Sequence, residues 1–172
     1  MKVTLCMDIT VNGYIAREDG EEDFFEEQNW KDFVETVKKF GNCIFGRKTY
    51  DAVKAWGEQY GLDDLAGSRV IIVTTSEIEN PEPYITVVHS PEEALKTLAE
   101  AGFTEALVSG GSMINYSFLK AKLVDELVLN INSIIVKKGM PFFSPEDMDI
   151  KLHLLNSEQK DQVITTTYKV EK

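Results

Sequence analysis

The order of apolar and polar positions outlines this chain before any residue chemistry is needed. "KVTLCMDI", at the N-terminus, has the apolar content of a strand with a buried face. Residues 26 to 40 place Trp30, Phe33, Val34 and Val37 at helical spacing, and Gly41 ends the pattern. "NCIF" reads as a short buried strand, followed by a helix capped by Thr49 and running to about Trp56. "RVIIVT" and "YITVV" are two more strands. Pro91 opens a helix that reaches about Ala101 and stops at Gly102. "EALV" is a strand, and "GGSMINYSFLKA" turns into a helix with Ser112 as its cap. A long strand is expected over 126 to 136, "ELVLNINSIIV". "IKLHLL" and "QVITTTYKV" then alternate as strands, joined by a hairpin loop "NSEQKD".

Strands and helices thus alternate over the first two-thirds of the chain, and strands alone follow. Strand-helix-strand units pair in parallel and place helices on both faces of a sheet. The last strands imply an antiparallel edge. The expected fold class is α/β: a three-layer α/β/α single domain over residues 1–172, with one mixed sheet of about eight strands.

Composition narrows the function. At 172 residues, 43% of them hydrophobic and 27% charged, the chain reads as an ordinary globular domain. A net charge of -11 argues against a general nucleic-acid binder, which needs a basic face. Cys6 and Cys43 fall in apolar strands and read as small core residues. His89 and His153 are far apart and neighbour no cysteine, so no metal is expected. "MKVTLCMDIT" lacks the apolar stretch of a signal peptide, and no apolar run approaches a membrane span. A cytoplasmic protein is the expectation.

Two corners have the composition of anion sites. In "IFGRKTY", Gly46 permits close backbone approach, a helix N-terminus follows, and Arg47 and Lys48 add full charges. In "LVSGGSMI", Gly110 and Gly111 lie between a buried strand and a helix. Each alone reads equally well as a turn. "VIIVTTSE" ends a strand in Thr74, Thr75 and Ser76, hydroxyls suited to phosphate or ribose, or to capping a turn.

Together with "MDITVNGYIA", "FGRKTYDAV", "LVSGGSMINYSFLKAKLVDELVL" and "KKGMPFF", these stretches resemble the dihydrofolate reductase-like superfamily, nearest its riboflavin-pathway pyrimidine reductase branch. The resemblance covers almost the full chain. It implies an eight-stranded mixed sheet with four helices and NADPH as cofactor. It puts Gly46, Arg47, Lys48 and Thr49 at the pyrophosphate and 2′-phosphate, and Thr74, Thr75 and Ser76 at the adenosine end. Gly110, Gly111, Ser112, Met113 and Ile114 fall at the second phosphate corner, and Ile15 and Ala16 beside the nicotinamide. Asn130 matches a position that touches substrate in folate reductases, and Trp30 and Phe33 would build the apolar wall of the pocket or plain core. Relatives pair through their C-terminal strands, so a homodimer is an expectation.

The chain also departs from its relatives. Trp30 stands where dihydrofolate reductases carry the acid that holds the pterin. "TVNG" replaces the "SLDG" of the pyrimidine reductases, and Lys137 the first glycine of "GxGxP". The serine- and arginine-rich segment that holds a ribityl phosphate has no counterpart. The implied chemistry is hydride transfer to a C=N or C=O carbon, with the proton coming from a carboxyl or a water. Asp8, in an apolar strand, and Asp23, in "DGEEDFF", are the candidate acids. The acidic run 18 to 27 is a solvated loop or a cover for the site. The rival readings are a dihydrofolate reductase with an altered acid and a non-catalytic NADP-binding module.

Overall fold

The computed structural model describes residues 1–56, 60–145 and 147–172. In chain order its elements are β1 (Lys2–Thr10), β2 (Tyr14–Ala16), α1 (Glu27–Phe40), β3 (Asn42–Gly46), α2 (Arg47–Ala55), a 3-10 turn (Leu62–Leu65), β4 (Arg69–Val73) and β5 (Ile85–Val88). They continue with α3 (Pro91–Glu100), β6 (Glu105–Val108), α4 (Ser112–Lys120), β7 (Glu126–Asn132), β8 (Met140–Pro141), β9 (Leu152–Lys160) and β10 (Val163–Val170).

Eight strands form one sheet in the order β5-β4-β3-β6-β1-β7-β10-β9. The pairs from β5 to β7 are parallel, and β10 and β9 add on antiparallel. Val70, Ile71 and Ile72 are fully buried in succession, as in a strand covered on both faces. Val34 and Val37 of α1 and Tyr50 and Val53 of α2 pack with Cys43, Phe45, Val70 and Ile72. Ala94 and Leu98 of α3 and Phe118 of α4 pack with Ile44, Ile71 and Val108 on the opposite face. This is the expected three-layer mixed sheet with antiparallel C-terminal strands.

Several boundaries differ from the expectation. The α2 helix starts at Arg47 with Gly46 as its N-cap, two residues before Thr49. Gly111 caps α4, and Ser112 is its first residue, with a hydroxyl that donates to the Pro141 carbonyl instead. The long strand ends at Asn132 rather than at residue 136. Asn156–Lys160 belongs to β9, and the hairpin loop shrinks to Asp161 and Gln162, with Asp161 at φ 53. Polar residues exposed on both strand faces leave no alternation to read. The small β2–β8 pairing also went unanticipated. Ala16 and Tyr14 crowd Gly139 there, where an added Cβ would lie 2.3 Å from the Ala16 carbonyl. Between α4 and β7, an Asp125 carboxylate oxygen accepts the Val3 N–H at 2.7 Å.

Candidate functional site

The two glycine corners are one structure. The Gly46 N–H donates to the Gly110 carbonyl at 2.8 Å, and the Ser109 N–H to the Ile44 carbonyl at 3.0 Å. Both corners lie at the carboxyl ends of β3 and β6, adjacent strands reached by different crossovers. Ligands of open α/β sheets bind at such switch points. A Cβ on Gly46 would lie 2.6 Å from Ile114 Cγ1, and one on Gly111 3.3 Å from Thr49 Oγ1. Gly110 has φ +88, and a Cβ there would meet the Met7 sulfur at 3.0 Å. These contacts bring the first turns of α2 and α4 side by side.

Their capping separates them from the other helices. Ser90 caps α3 by accepting the Glu93 N–H at 3.1 Å, and Glu26 with Asn29 forms a capping box on α1. Neither α2 nor α4 has a side-chain cap. Their leading N–H groups are therefore open to an anion. Ser109 Oγ is buried at the same seam with no hydrogen-bond partner among the described residues. An unoccupied donor, two uncapped helix starts and crowded glycines fit a phosphate-bearing cofactor.

Arg47 is committed locally. Its Nε reaches both Asp51 carboxylate oxygens at 2.8 and 2.9 Å, and Nη1 donates to the Glu77 carbonyl at 2.8 Å. That last bond draws the segment holding Thr74, Thr75 and Ser76 up to α2, where Thr74 Oγ1 accepts the Ser76 N–H at 3.0 Å. Lys48 is exposed and makes no ion pair among the described residues. Ile15 and Ala16 are buried on β2, and Ile15 Cδ1 lies 3.8 Å from the place of a Gly111 Cβ. Met113 is 68% exposed on the first turn of α4.

Beside this seam the α1-facing side of β1, β7 and β10 carries a polar cluster. Asp8 pairs in register with Asn130, and Asn130 with Thr165. Asp8 Oδ1 accepts Asn29 Nδ2 at 2.8 Å and Asn132 Nδ2 at 3.2 Å. Asn29 Nδ2 also reaches Asn132 Oδ1 at 2.9 Å, while its own oxygen takes the Glu26 N–H at 3.0 Å. The N-cap of α1 thereby fixes the orientation of the amide that meets Asp8. Thr165 donates to Asn130 Oδ1 at 2.9 Å. Burial pushes the Asp8 carboxyl above the ordinary carboxylate range, against the pull of the asparagine amides.

Of the candidate acids, Asp8 lies in this cluster and Asp23 lies outside it, paired with Arg17 Nε at 2.5 Å on the surface. The residue turned inward is Glu22, half-buried between exposed Glu21 and Asp23. Burial, then the charges of Asp8 and Glu21, push its carboxyl up to about 8. Trp30 donates to Asp64 at 2.8 Å and packs 5.3 Å from both Phe33 and Trp56, forming an aromatic wall. Phe33 follows Asn29 by one helical turn, on the same side of α1. Sequence reasoning missed Glu22, Asn29, Asn132 and Thr165. The available signals were the i, i+4 spacing from Asn29 to Phe33 and the i, i+2 spacing from Asn130 to Asn132.

A family model described as the RibD C-terminal domain matches residues 1–166. The chain belongs to that family. Among curated proteins it is 24% identical to the uncharacterized protein YwjB of Bacillus subtilis over 97% of each chain. Among solved structures it is similar to a putative riboflavin biosynthesis protein from Shewanella, with a TM-score of 0.81 and 24% identity over the whole of both chains. A Thermotoga maritima diaminohydroxyphosphoribosylaminopyrimidine deaminase/5-amino-6-(5-phosphoribosylamino)uracil reductase matches with a TM-score of 0.73 and 20% identity, over 98% of this chain and 56% of that one. Enterococcus faecalis dihydrofolate reductase matches with a TM-score of 0.71 and 18% identity, over 99% and 97% of the two chains. Fold and family are thus reductase-like. No helix among the described residues is long and apolar enough to cross a membrane.

Proposed function

We propose that this chain is an NADPH-dependent reductase of a small heterocycle of pyrimidine or pterin type. The observation that carries the reading is the joined seam. The Gly46–Gly110 hydrogen bond sets two uncapped helix starts next to a polar cluster that holds the half-buried Asp8 carboxyl. The first turns of α2 and α4 would hold the cofactor phosphates, with Lys48 at the extra phosphate of NADPH. Thr74, Thr75 and Ser76 would meet the adenosine end, and Ile15 and Ala16 would border the nicotinamide. When bound, NADPH would supply a hydride. The cleft's own work is to orient the acceptor ring through Asp8, Asn29, Asn130 and Asn132, and to exclude water with Trp30 and Phe33.

The charges around the cleft refine the substrate class. Asp8, Glu22 and Asp32 lie about it, and Lys160 is paired with Asp32 at 3.4 Å. An acidic, amide-lined wall favours a neutral or protonated nitrogen heterocycle over a phosphorylated one. On α1 the inward polar group is the Asn29 amide and the half-buried carboxyl comes from β1, which separates this site from the folate-reductase expectation of an acid on the first helix. Titration with NADPH and NADH by calorimetry tests the reading. Saturable binding that prefers NADPH supports it, and failure of both cofactors to bind rejects it. Binding with no oxidation of NADPH on any pyrimidine or pterin would instead favour the non-catalytic alternative.

We also propose a homodimer through the β9 edge. A bulge opposite Thr167 and Tyr168 puts Leu155 on the same side as Leu154. With Leu152 and Ile164 they form an exposed apolar face, Leu154 at 59% and Leu155 at 54% exposure. Wild-type chain should sediment as a dimer, and the Leu154→Glu, Leu155→Glu double variant as a folded monomer. A monomeric wild type would reject the dimer.

A further inference from the structure

We propose that Asn12 and Asn115 are positioning residues for the nicotinamide end of the cofactor, acting through the segment 136–142 that ties β2 to α4. The proposal rests on the reductase reading above, which puts Ile15 and Ala16 of β2 beside the nicotinamide. β2 lies outside the eight-stranded sheet, and its ladder partner is β8. Tyr14 pairs with Pro141 and Ala16 with Met140, and the Phe142 N–H donates to the Gly13 carbonyl at 3.1 Å. Met140 and Phe142 also pack on Ile9, Ile15 and Ala16. The strand that would border the ring is thus carried by β8, and what fixes β8 fixes that border.

Side-chain amides fix it at both ends. At the first end Asn12 Nδ2 donates to the Val136 carbonyl at 2.8 Å, and Asn12 Oδ1 accepts the Val136 N–H at 3.3 Å. One amide pairs with both backbone groups of one residue, as a neighbouring strand would. The same Oδ1 accepts the Thr10 hydroxyl at 2.9 Å, and Thr10 Oγ1 accepts the N–H of Tyr14, the first residue of β2, at 3.0 Å. "TVNG" in place of "SLDG" has a use here, because an aspartate at position 12 would lack the donor for the Val136 carbonyl. At the second end Asn115, fully buried in α4, donates from Nδ2 to the Phe142 carbonyl at 2.7 Å. Asn115 Oδ1 has no partner among the described residues, so donation to Phe142 is what this buried amide does. Ser112 Oγ donates to the Pro141 carbonyl one turn earlier, and the Ser144 N–H reaches the Ser112 carbonyl at 3.4 Å.

One helix therefore serves two parts of the site. The start of α4 is open to a phosphate, and its next turn holds the segment that carries β2. Ile15 Cδ1 lies 3.8 Å from the place of a Gly111 Cβ, so a shift of β2 is a shift against the phosphate corner. Misplacing a reacting ring by about 1 Å costs on the order of 100-fold in rate. The phosphate corner itself stands on backbone bonds, Gly46 to Gly110 and Asn115 N–H to the Gly111 carbonyl, which neither amide side chain supplies.

The test uses Asn12→Asp, which removes one surface donor, and Asn115→Leu, which keeps most of the volume and removes the buried donor. Hydrogen exchange of the full chain without cofactor comes first. In both variants the Phe142 N–H should exchange about tenfold or more faster than in the wild type, while the paired Leu5 and Leu127 of the main sheet keep their rates. Binding follows. 2′,5′-ADP, which carries the 2′-phosphate and no nicotinamide, should bind both variants within about twofold of the wild type. NADPH should bind them about threefold to tenfold more weakly and lose most of the rise in nicotinamide fluorescence that accompanies its binding to the wild type. Equal losses for 2′,5′-ADP and NADPH would mean that the amides only hold up the fold. Unchanged exchange, or unchanged nicotinamide fluorescence, would mean that β2 is placed without them. Each of these results overturns the assignment. Failure of the wild type to bind either ligand would instead remove the reductase reading, and the nicotinamide role with it, before any variant is made.

Discussion

Replacing Arg47 and Lys48 together by alanine should weaken NADPH binding by roughly 2–4 kcal/mol, about 30- to 900-fold, and NADH binding far less. The figure takes each charged contact to phosphate as about 1.5–3 kcal/mol, with the two less than additive. The single variants should differ. Lys48 is exposed and has no ion-pair partner among the described residues, so its full charge is available to a ligand. The Arg47 guanidinium already serves Asp51 and the Glu77 carbonyl, so a phosphate must share it or displace Asp51. Lys48→Ala should therefore cost NADPH more than Arg47→Ala does. Arg47→Ala should instead loosen the Thr74–Glu77 segment that its Nη1 holds, a small loss shared by both cofactors, so that the NADPH-specific part of the double variant's loss comes mainly from Lys48. The chain carries -11 overall, so these two cations act against a repulsive background, and the NADPH preference should shrink as salt is raised. Fluorescence titration of the three variants with each cofactor measures all of this. Equal losses for NADPH and NADH in Lys48→Ala would reject its placement at the extra phosphate.

Legibility in the sequence followed the physics of each element. The parallel half was readable because doubly covered strands are unbroken apolar runs, "VIIV" above all, and because glycine marks the turns where backbone meets backbone. Gly46 and Gly110 could be named as corners for that reason. Their mutual hydrogen bond could not, since it joins residues far apart in sequence. The β9 strand was hidden because Asn156–Lys160 is polar and exposed on both faces, which leaves no period of two to detect. The loop carboxylates were hard to rank for a related reason. In "GEEDFF" three consecutive carboxylates compete, and a loop has no periodicity to say which one turns in. In the fold Glu22 is half-buried, while Asp23 is exposed and pairs with Arg17. Asn29 and Asn132 were hidden differently, because an asparagine at a helix start or strand end reads as a cap or a solvated residue. Asn29 does cap α1, its oxygen accepting the Glu26 N–H, but its nitrogen turns inward and donates to Asp8.

Asn42→Ala should be the most destabilising single change at the seam, lowering unfolding free energy by about 3–5 kcal/mol and Tm by on the order of 10 °C. Asn42 is fully buried at the start of β3. Its Nδ2 donates to the Phe40 carbonyl at 3.1 Å and the Glu105 carbonyl at 3.0 Å, and its Oδ1 accepts the Leu107 N–H at 3.1 Å. The neighbouring strands need this, because β3 and β6 share a single registered pair, Ile44 with Val108. One side-chain amide thus supplies what the ladder lacks at one end of the seam, while the Ser109–Ile44 and Gly46–Gly110 bonds close the other end, at the site. Truncation orphans three backbone groups, the buried Leu107 N–H and the part-buried Phe40 and Glu105 carbonyls, at about 1–3 kcal/mol each, less than additively. Asn42→Leu separates the causes. It restores most of the volume but none of the hydrogen bonds, so it should stay nearly as unstable as Asn42→Ala. Recovery to wild-type stability in Asn42→Leu would mean that filling space, and not bridging the strands, is what position 42 does. The site end of the seam has its own two bonds, so saturating NADPH should raise Tm by a similar increment in wild type and Asn42→Ala. A loss of that increment would mean that the amide at the far end of β3 also sets the spacing of the two glycine corners.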